Sequence, residues 1–184
     1  MFIDKTLYTG GAEGRADKEA RCYKLLDSLD ISYCRADHEP ADTIADCEQV
    51  EKQLGGKICK NLFLTNRRKT EFYLLLMPGE KPFKTTLLSK QIGSARLSFA
   101  DAEEMERLLD ITPGSVSVLG LMNDKGGEVR LLIDRELADE ENFACHPCLN
   151  TSTVMFKTSE LFEKLLPAMG REPKFVELPW EIGE

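Results

Sequence analysis

The stretch ICKNLFLTNRRKTEFYLLLM, residues 58–77, holds two short apolar runs, Ile58 to Leu64 and Glu71 to Met77, separated by the basic segment Thr65 to Lys69. Apolar runs of this length bounded by turn residues are strand-sized, so the stretch predicts two strands joined by a basic hairpin, with Pro78-Gly79 ending the second. Alternation along the first strand sends Asn61 and Phe63 to one face and Lys60, Leu62 and Leu64 to the other.

Helical spacing surrounds this hairpin. Upstream, Ala20, Tyr23, Leu25, Leu26 and Leu29 recur three and four residues apart, which predicts an amphipathic helix over 17–29, followed by a short strand at Ile31 to Cys34. A second helix is expected from Ala41 to Leu54, with Thr43 as its cap and Gly55-Gly56 as its stop. Downstream, helices are expected at Leu87 to Gly93, at Asp101 to Leu109 with Asp101 as N-cap, and at Ser159 to Met169. Val116 to Met122 and Val129 to Ile133 read as a hairpin around the polar turn Asn123 to Glu128, and Thr151 to Phe156 as a further strand. Helices and strands mix without strict βαβ alternation, so the expectation is an α+β fold: one domain over residues 1–170 and a loose tail at 171–184.

The 184 residues fit a single core, and 42% hydrophobic with 30% charged residues is a globular balance. No run of about 18 apolar residues occurs, and residues 1–14 lack a basic n-region and an apolar h-region, so a cytoplasmic protein with no membrane partner is expected. Six scattered cysteines in such a chain read as free thiols. The net charge of −8 conceals a polarity: Lys52 to Ala100 carries ten basic and two acidic residues, a +8 block against −16 elsewhere. Such a block can dock a polyanion, or can be the solvated lysines that guard strand edges.

Five candidates for chemistry stand out. Lys60 lies on an otherwise apolar strand face, where an ammonium either snorkels to solvent or serves to clamp a phosphate or polarise a carbonyl. His146 sits in Ala-Cys-His-Pro-Cys-Leu-Asn-Thr-Ser-Thr, residues 144–153, a loop able to display a general acid or base or to tie a structural histidine to backbone. His38, between carboxylates and before Pro40, reads most simply as an exposed turn. Cys145 and Cys148 form a C-x-x-C, but no second Cys or His pair completes a metal site, and a strand, not a helix, is expected to follow; neither zinc nor thioredoxin-type redox chemistry is favoured. Gly114-Ser115 opens a turn able to offer backbone amides. No Walker loop, G-x-G-x-x-G or G-x-S-x-G occurs.

Lys60-Asn61-Leu62-Phe63-Leu64, then Thr112 to Ser117 with Leu119-Gly120, then His146-Pro147 with Asn150-Thr151, occur in an order that resembles the YbaK-like family of tRNA-editing domains; Asp37 to Pro40 with Thr43 adds an upstream match. The resemblance covers roughly residues 20–166 and is nearest to the free-standing ProX (PrdX) type. It implies an α+β fold with a mixed, barrel-like sheet, and hydrolysis of the ester between a wrong amino acid and the tRNA 3′ end without metal or cofactor. It further implies Lys60 as the essential lysine, Asn61, His146 and Asn150 in the same pocket, and Gly114 and Ser115 in the substrate-binding loop. The implied partner is the acceptor end of tRNA(Pro), with prolyl-tRNA synthetase as a further candidate. Alanine is the expected mischarged residue, with cysteine as the alternative, and a non-catalytic sensor of the same fold as the rival. The family commonly has proline four residues after the loop glycine, where this chain has Val118.

Overall fold

A computed structural model describes residues 1–41 and 44–181. Its elements run β1 (Ile3–Tyr8), α1 (Asp17–Ser28), β2 (Tyr33–His38), α2 (Ile44–Leu54), β3 (Cys59–Asn66), β4 (Phe72–Pro78), α3 (Thr85–Ile92), β5 (Leu97–Phe99), α4 (Ala102–Leu109), β6 (Val129–Asp134), β7 (Asn142–Cys145), β8 (Ser152–Lys157) and β9 (Lys174–Val176). They form two sheets: a four-stranded antiparallel sheet in the order β1-β2-β8-β7, and a five-stranded mixed sheet in the order β5-β3-β4-β6-β9. The barrel-like sheet is therefore corrected to two sheets. Among the described residues they meet at one backbone pair, where Ile58 bridges Ala144 in parallel.

The β3–β4 hairpin forms with Cys59 opposite Pro78 and Thr65 opposite Phe72. Its alternation is as the sequence predicts. Phe63 joins the larger core with Cys59, Leu74, Leu119 and Phe143, while Leu62 and Leu64 join a second core with Leu75, Met77 and Leu88. A third cluster, Ala36, Val50, Leu54, Ile58 and Ala144, seats α2 on the four-stranded sheet. Asp101 caps α4 with a full capping box, its side chain accepting from the Glu104 amide while Glu104 reaches back to the Asp101 amide. Thr43, expected to cap α2, lies outside the described residues.

Two expectations fail. Val116 to Met122 is not a strand; Val118–Met122 winds as a 3-10 helix, and β6 pairs parallel with β4 instead of closing a hairpin. Val118, Leu119, Gly120 and Leu121 are all buried, and a short run that is apolar all round carries no periodicity to tell helix from strand. Nor are residues 171–181 a loose tail. β9 adds to β6, Val176 and Leu178 are buried, and the Arg171 guanidinium donates to the carbonyls of Leu121, Asp124 and Val129 and pairs with the Asp124 carboxylate at 3.0 Å. The closing helix is also irregular, π-wound over Leu161–Leu165 between α-helical ends.

Candidate active site

Two of the expected residues lie close in sequence to the backbone bridge between the sheets. Ile58 and Ala144 are paired, and two residues beyond each lie Lys60 and His146. Lys60 follows Ile58 on the same side of β3. It is half-buried, its Nζ donates to the Lys81 carbonyl at 2.8 Å, and burial lowers its pKa from the ordinary lysine value. Among the described residues no carboxylate forms an ion pair with it. One N–H is thus committed to backbone, which fixes the ammonium's direction and leaves its other donors for a ligand.

His146 is buried, and its Nδ1 faces the Ser152 carbonyl at 3.0 Å and Thr153 Oγ1 at 3.2 Å. A ring nitrogen against a carbonyl must carry the proton, so Nε2 is the unprotonated acceptor. Burial pushes its pKa down to about 4, against a smaller opposing effect of the Ser152 carbonyl, so the imidazole is neutral at pH 7. Behind it stands a second histidine. His38 Nδ1 faces the Glu39 carbonyl at 2.8 Å, its Nε2 lies 2.9 Å from Thr153 Oγ1, and the two rings are 5.9 Å apart. By the same logic Thr153 donates its hydroxyl proton to His38 and accepts from His146. His38 is therefore not an exposed turn residue but a buried support, its pKa also lowered by burial. The neighbouring carboxylates that suggest exposure turn elsewhere: Asp37 binds Arg15 and Arg35, and Glu39 accepts from the Phe2 amide.

A buried polar cluster anchors the start of β8, from which Ser152 and Thr153 act. Glu19 accepts from Tyr23 Oη at 2.6 Å and from Ser152 Oγ at 2.7 Å, and Arg15 neutralises it at 3.3 Å. Asn150 and Thr151 use their carbonyls to hold the amides of Ala41 and His38. Asn150 thus ties the loop before β8 to the entrance of α2.

Asn61, Gly114 and Ser115 are the remaining expected residues. Asn61 points to the face opposite Lys60, with Nδ2 donating to the Cys59 carbonyl at 3.1 Å and its Oδ1 buried without a hydrogen-bond partner. Gly114 is exposed at φ +87°, a left-handed conformation that favours glycine, and opens a turn closed by Ser115 N–H donating to the Thr112 carbonyl. Ser115 is buried. Val118 is the first residue of the 3-10 helix, a position where proline also fits, so the departure from the family pattern leaves that helix start intact. Cys145 and Cys148 are both buried, and burial drives the Cys145 thiol pKa up; Cys148 Sγ lies 3.5 Å from Cys22 Sγ. Inert thiols of this kind do not present a reactive thiolate.

Charge is less polarised in space than in sequence. Lys57 pairs with Glu80, Lys69 with Asp101 and Glu104, and Lys81 is buried against Asp134 and Glu136. Three of the ten cations are thereby neutralised. A cavity of about 120 Å³ against Ile58 and Cys59 is lined by Glu51, Glu80, Glu136 and Glu140, carboxylates that disfavour phosphate there. Among the described residues no helix is long and apolar enough to cross a membrane.

Residues 38–164 match the family described as the aminoacyl-tRNA editing domain. The chain is 34% identical over 153 residues to the prolyl-tRNA editing protein ProX of Acetoanaerobium sticklandii, covering 83% of this chain and 93% of that one. It is 30% identical over 167 residues to the mouse prolyl-tRNA synthetase associated domain-containing protein 1, covering 89% and 95%. A crystal structure of a candidate trans-editing enzyme for prolyl-tRNA synthetase shares the fold at a TM-score of 0.66, with 15% identity over 89% of this chain and 99% of that one.

Proposed function

Since the chain belongs to the aminoacyl-tRNA editing domain family, we propose that it is a free-standing deacylase that hydrolyses the ester of mischarged tRNA(Pro), with alanyl-tRNA(Pro) as the preferred substrate. The observation that supports the reading is Lys60: a half-buried ammonium with no carboxylate partner among the described residues, aimed by the Lys81 carbonyl and two residues past the bridge that joins its sheet to the strand leading into His146. An aminoacyl ester is already activated, so a fixed cation beside its carbonyl oxygen and a positioned nucleophile supply much of the acceleration. Lys60 would stabilise the developing oxyanion. A base with a pKa near 4 is too weak to carry a proton far, so His146 Nε2 would accept a hydrogen bond from the attacking water or a ribose hydroxyl and hold it in line. Asn61, Gly114, Ser115 and Asn150 would shape the surroundings, by family resemblance, and small size would admit alanine and exclude proline. Prolyl-tRNA synthetase, which releases the mischarged product, is the protein that would supply the substrate.

The test is deacylation of alanyl-, cysteinyl- and prolyl-tRNA(Pro) by the wild-type chain and by Lys60→Ala at one stated salt concentration. Loss of ester from the alanyl substrate, slowed roughly 100- to 1,000-fold by Lys60→Ala, is the expected result. A folded protein that leaves all three esters intact refutes the enzyme and favours a sensor.

A further inference from the structure

The face of β3 that carries Lys60 continues to an exposed aromatic. Leu62 and Leu64 follow Lys60 on that face, and Leu64 is paired with Phe99 of β5, an edge strand. Residues opposite one another in a ladder share a face, so Phe99 stands roughly 13 Å along the strand from Lys60. It is 60% exposed, although β5 is only three residues long and an edge phenylalanine gains nothing by facing water. Phe83 packs edge-on against it, ring centroids 6.3 Å apart, and Phe83 lies two residues beyond Lys81, whose carbonyl holds Lys60 Nζ. Phe83 and Phe99 thus continue the line begun by Lys60 along β3, past the second core that Leu62 and Leu64 enter.

Cations surround the far end of that line. Arg67 and Arg68 turn out of β3 beside the Asn66–Leu97 pair, Arg96 precedes Leu97, and Lys90 follows Ser89, whose hydroxyl accepts from the Leu97 amide. All four are exposed, and none has a carboxylate ion-pair partner among the described residues. These four differ in this from Lys57, Lys69 and Lys81 of the same basic block.

We propose that Phe99, braced by Phe83, is a stacking platform for the unpaired nucleotides that precede the 3′-terminal one of the tRNA, with Arg67, Arg68, Lys90 and Arg96 taking the phosphates beyond. The inference rests on the deacylase reading for which nucleotide enters first, and it adds how the strand is held. Exposed aromatics interleaved with free cations bind single strands without regard to sequence, because every base offers a π-face. Phe99 touches no reacting atom, so it is a positioning residue.

The experiment compares wild type, Phe99→Ala and Phe99→Trp on two esters, full-length alanyl-tRNA(Pro) and alanyl-adenosine, which lacks the preceding nucleotides. Phe99→Ala is expected to raise KM for the tRNA substrate about 5- to 150-fold with kcat unchanged, to leave alanyl-adenosine hydrolysis untouched, and to be rescued by Phe99→Trp. Binding of a labelled single-stranded RNA ending in CCA, read by anisotropy, gives the same comparison without hydrolysis. KM and binding within twofold of wild type overturn the platform. So does an equal effect on both esters, or a change of oligomeric state in light scattering, which would make the face a contact between copies. If wild type hydrolyses neither ester yet binds the RNA through Phe99, the deacylase reading fails and the platform stands.

Discussion

Replacing Lys81 by methionine isolates the buried charge of the residue whose carbonyl holds Lys60 Nζ. Lys81 is 1% exposed, its Nζ lies 2.8 Å from Asp134 Oδ2 and 2.9 Å from Glu136 Oε1, and Trp180 covers it at 5.5 Å from ring centroid to Nζ. Asp134 is equally buried, whereas Glu136 is about half exposed. Methionine fills most of the volume, so the loss is electrostatic: the Asp134 carboxylate stays desolvated without its counter-charge. Removing one partner of a buried pair typically costs about 3–5 kcal/mol. For a chain of this size that corresponds to a fall in Tm on the order of 10 °C. Asp134→Asn in the Lys81→Met background removes the orphaned charge and keeps the Oδ1 bond to the Glu136 amide, so about 1–3 kcal/mol should return. Urea unfolding of the two single variants and the double variant closes the cycle. A Lys81→Met loss below about 1 kcal/mol, or no recovery in the double variant, would refute the assignment of Lys81 as a buried anchor. Lys81 has a raised pKa, so its stabilising contribution is complete below the unfolded value of 10.5 and is lost as pH climbs through the higher folded value.

Other outcomes follow from the same geometry. His146 has its pKa depressed from 6.5 to about 4, so the unfolded chain binds a proton first as pH falls; stability should decline between pH 6.5 and 4, by up to about 3 kcal/mol from this residue, and His146→Gln should flatten that slope in urea titrations across the range. The same neutral ring predicts that the kcat profile of deacylation lacks an acid limb near pH 6.5; an inflection there that disappears in His146→Gln would contradict the assignment. Cys145→Ser with Cys148→Ser should keep deacylation within a few-fold of wild type while lowering Tm, since both thiols are buried; abolished turnover in a folded double variant would restore thiol chemistry.

How far the sequence could be read depended on periodicity. The hairpin at 58–77 and helices α1, α3 and α4 announce themselves by alternation, three- and four-residue spacing, or the Asp101–Glu104 box. β1 does not: Ile-Asp-Lys-Thr-Leu-Tyr is polar and half-exposed, and becomes a strand because β2 offers it an edge. β7 is too short to show a pattern, and β9 is recognisable only through its parallel partner. At the candidate site, motif resemblance singles out Lys60 and His146 and includes His38 in its upstream match, but not the hydrogen bond that joins His38 to Thr153. A contact across 115 residues leaves no trace in local sequence, and the carboxylates beside His38 advertised a surface that the strand's two faces do not share. The free and the neutralised lysines likewise look identical in sequence, because ion pairing is decided by tertiary neighbours.

The single Ile58–Ala144 pair has a mechanical consequence. Beyond that bridge the sheets are joined through the larger core, where Phe63 and Leu74 of one meet Phe143 and Val154 of the other. Lys60 lies on a strand of one sheet and His146 just past a strand of the other. Whatever molecule grips both closes a strut across the joint, and its binding energy is felt by the whole chain as added resistance to unfolding, not as the stiffening of one loop.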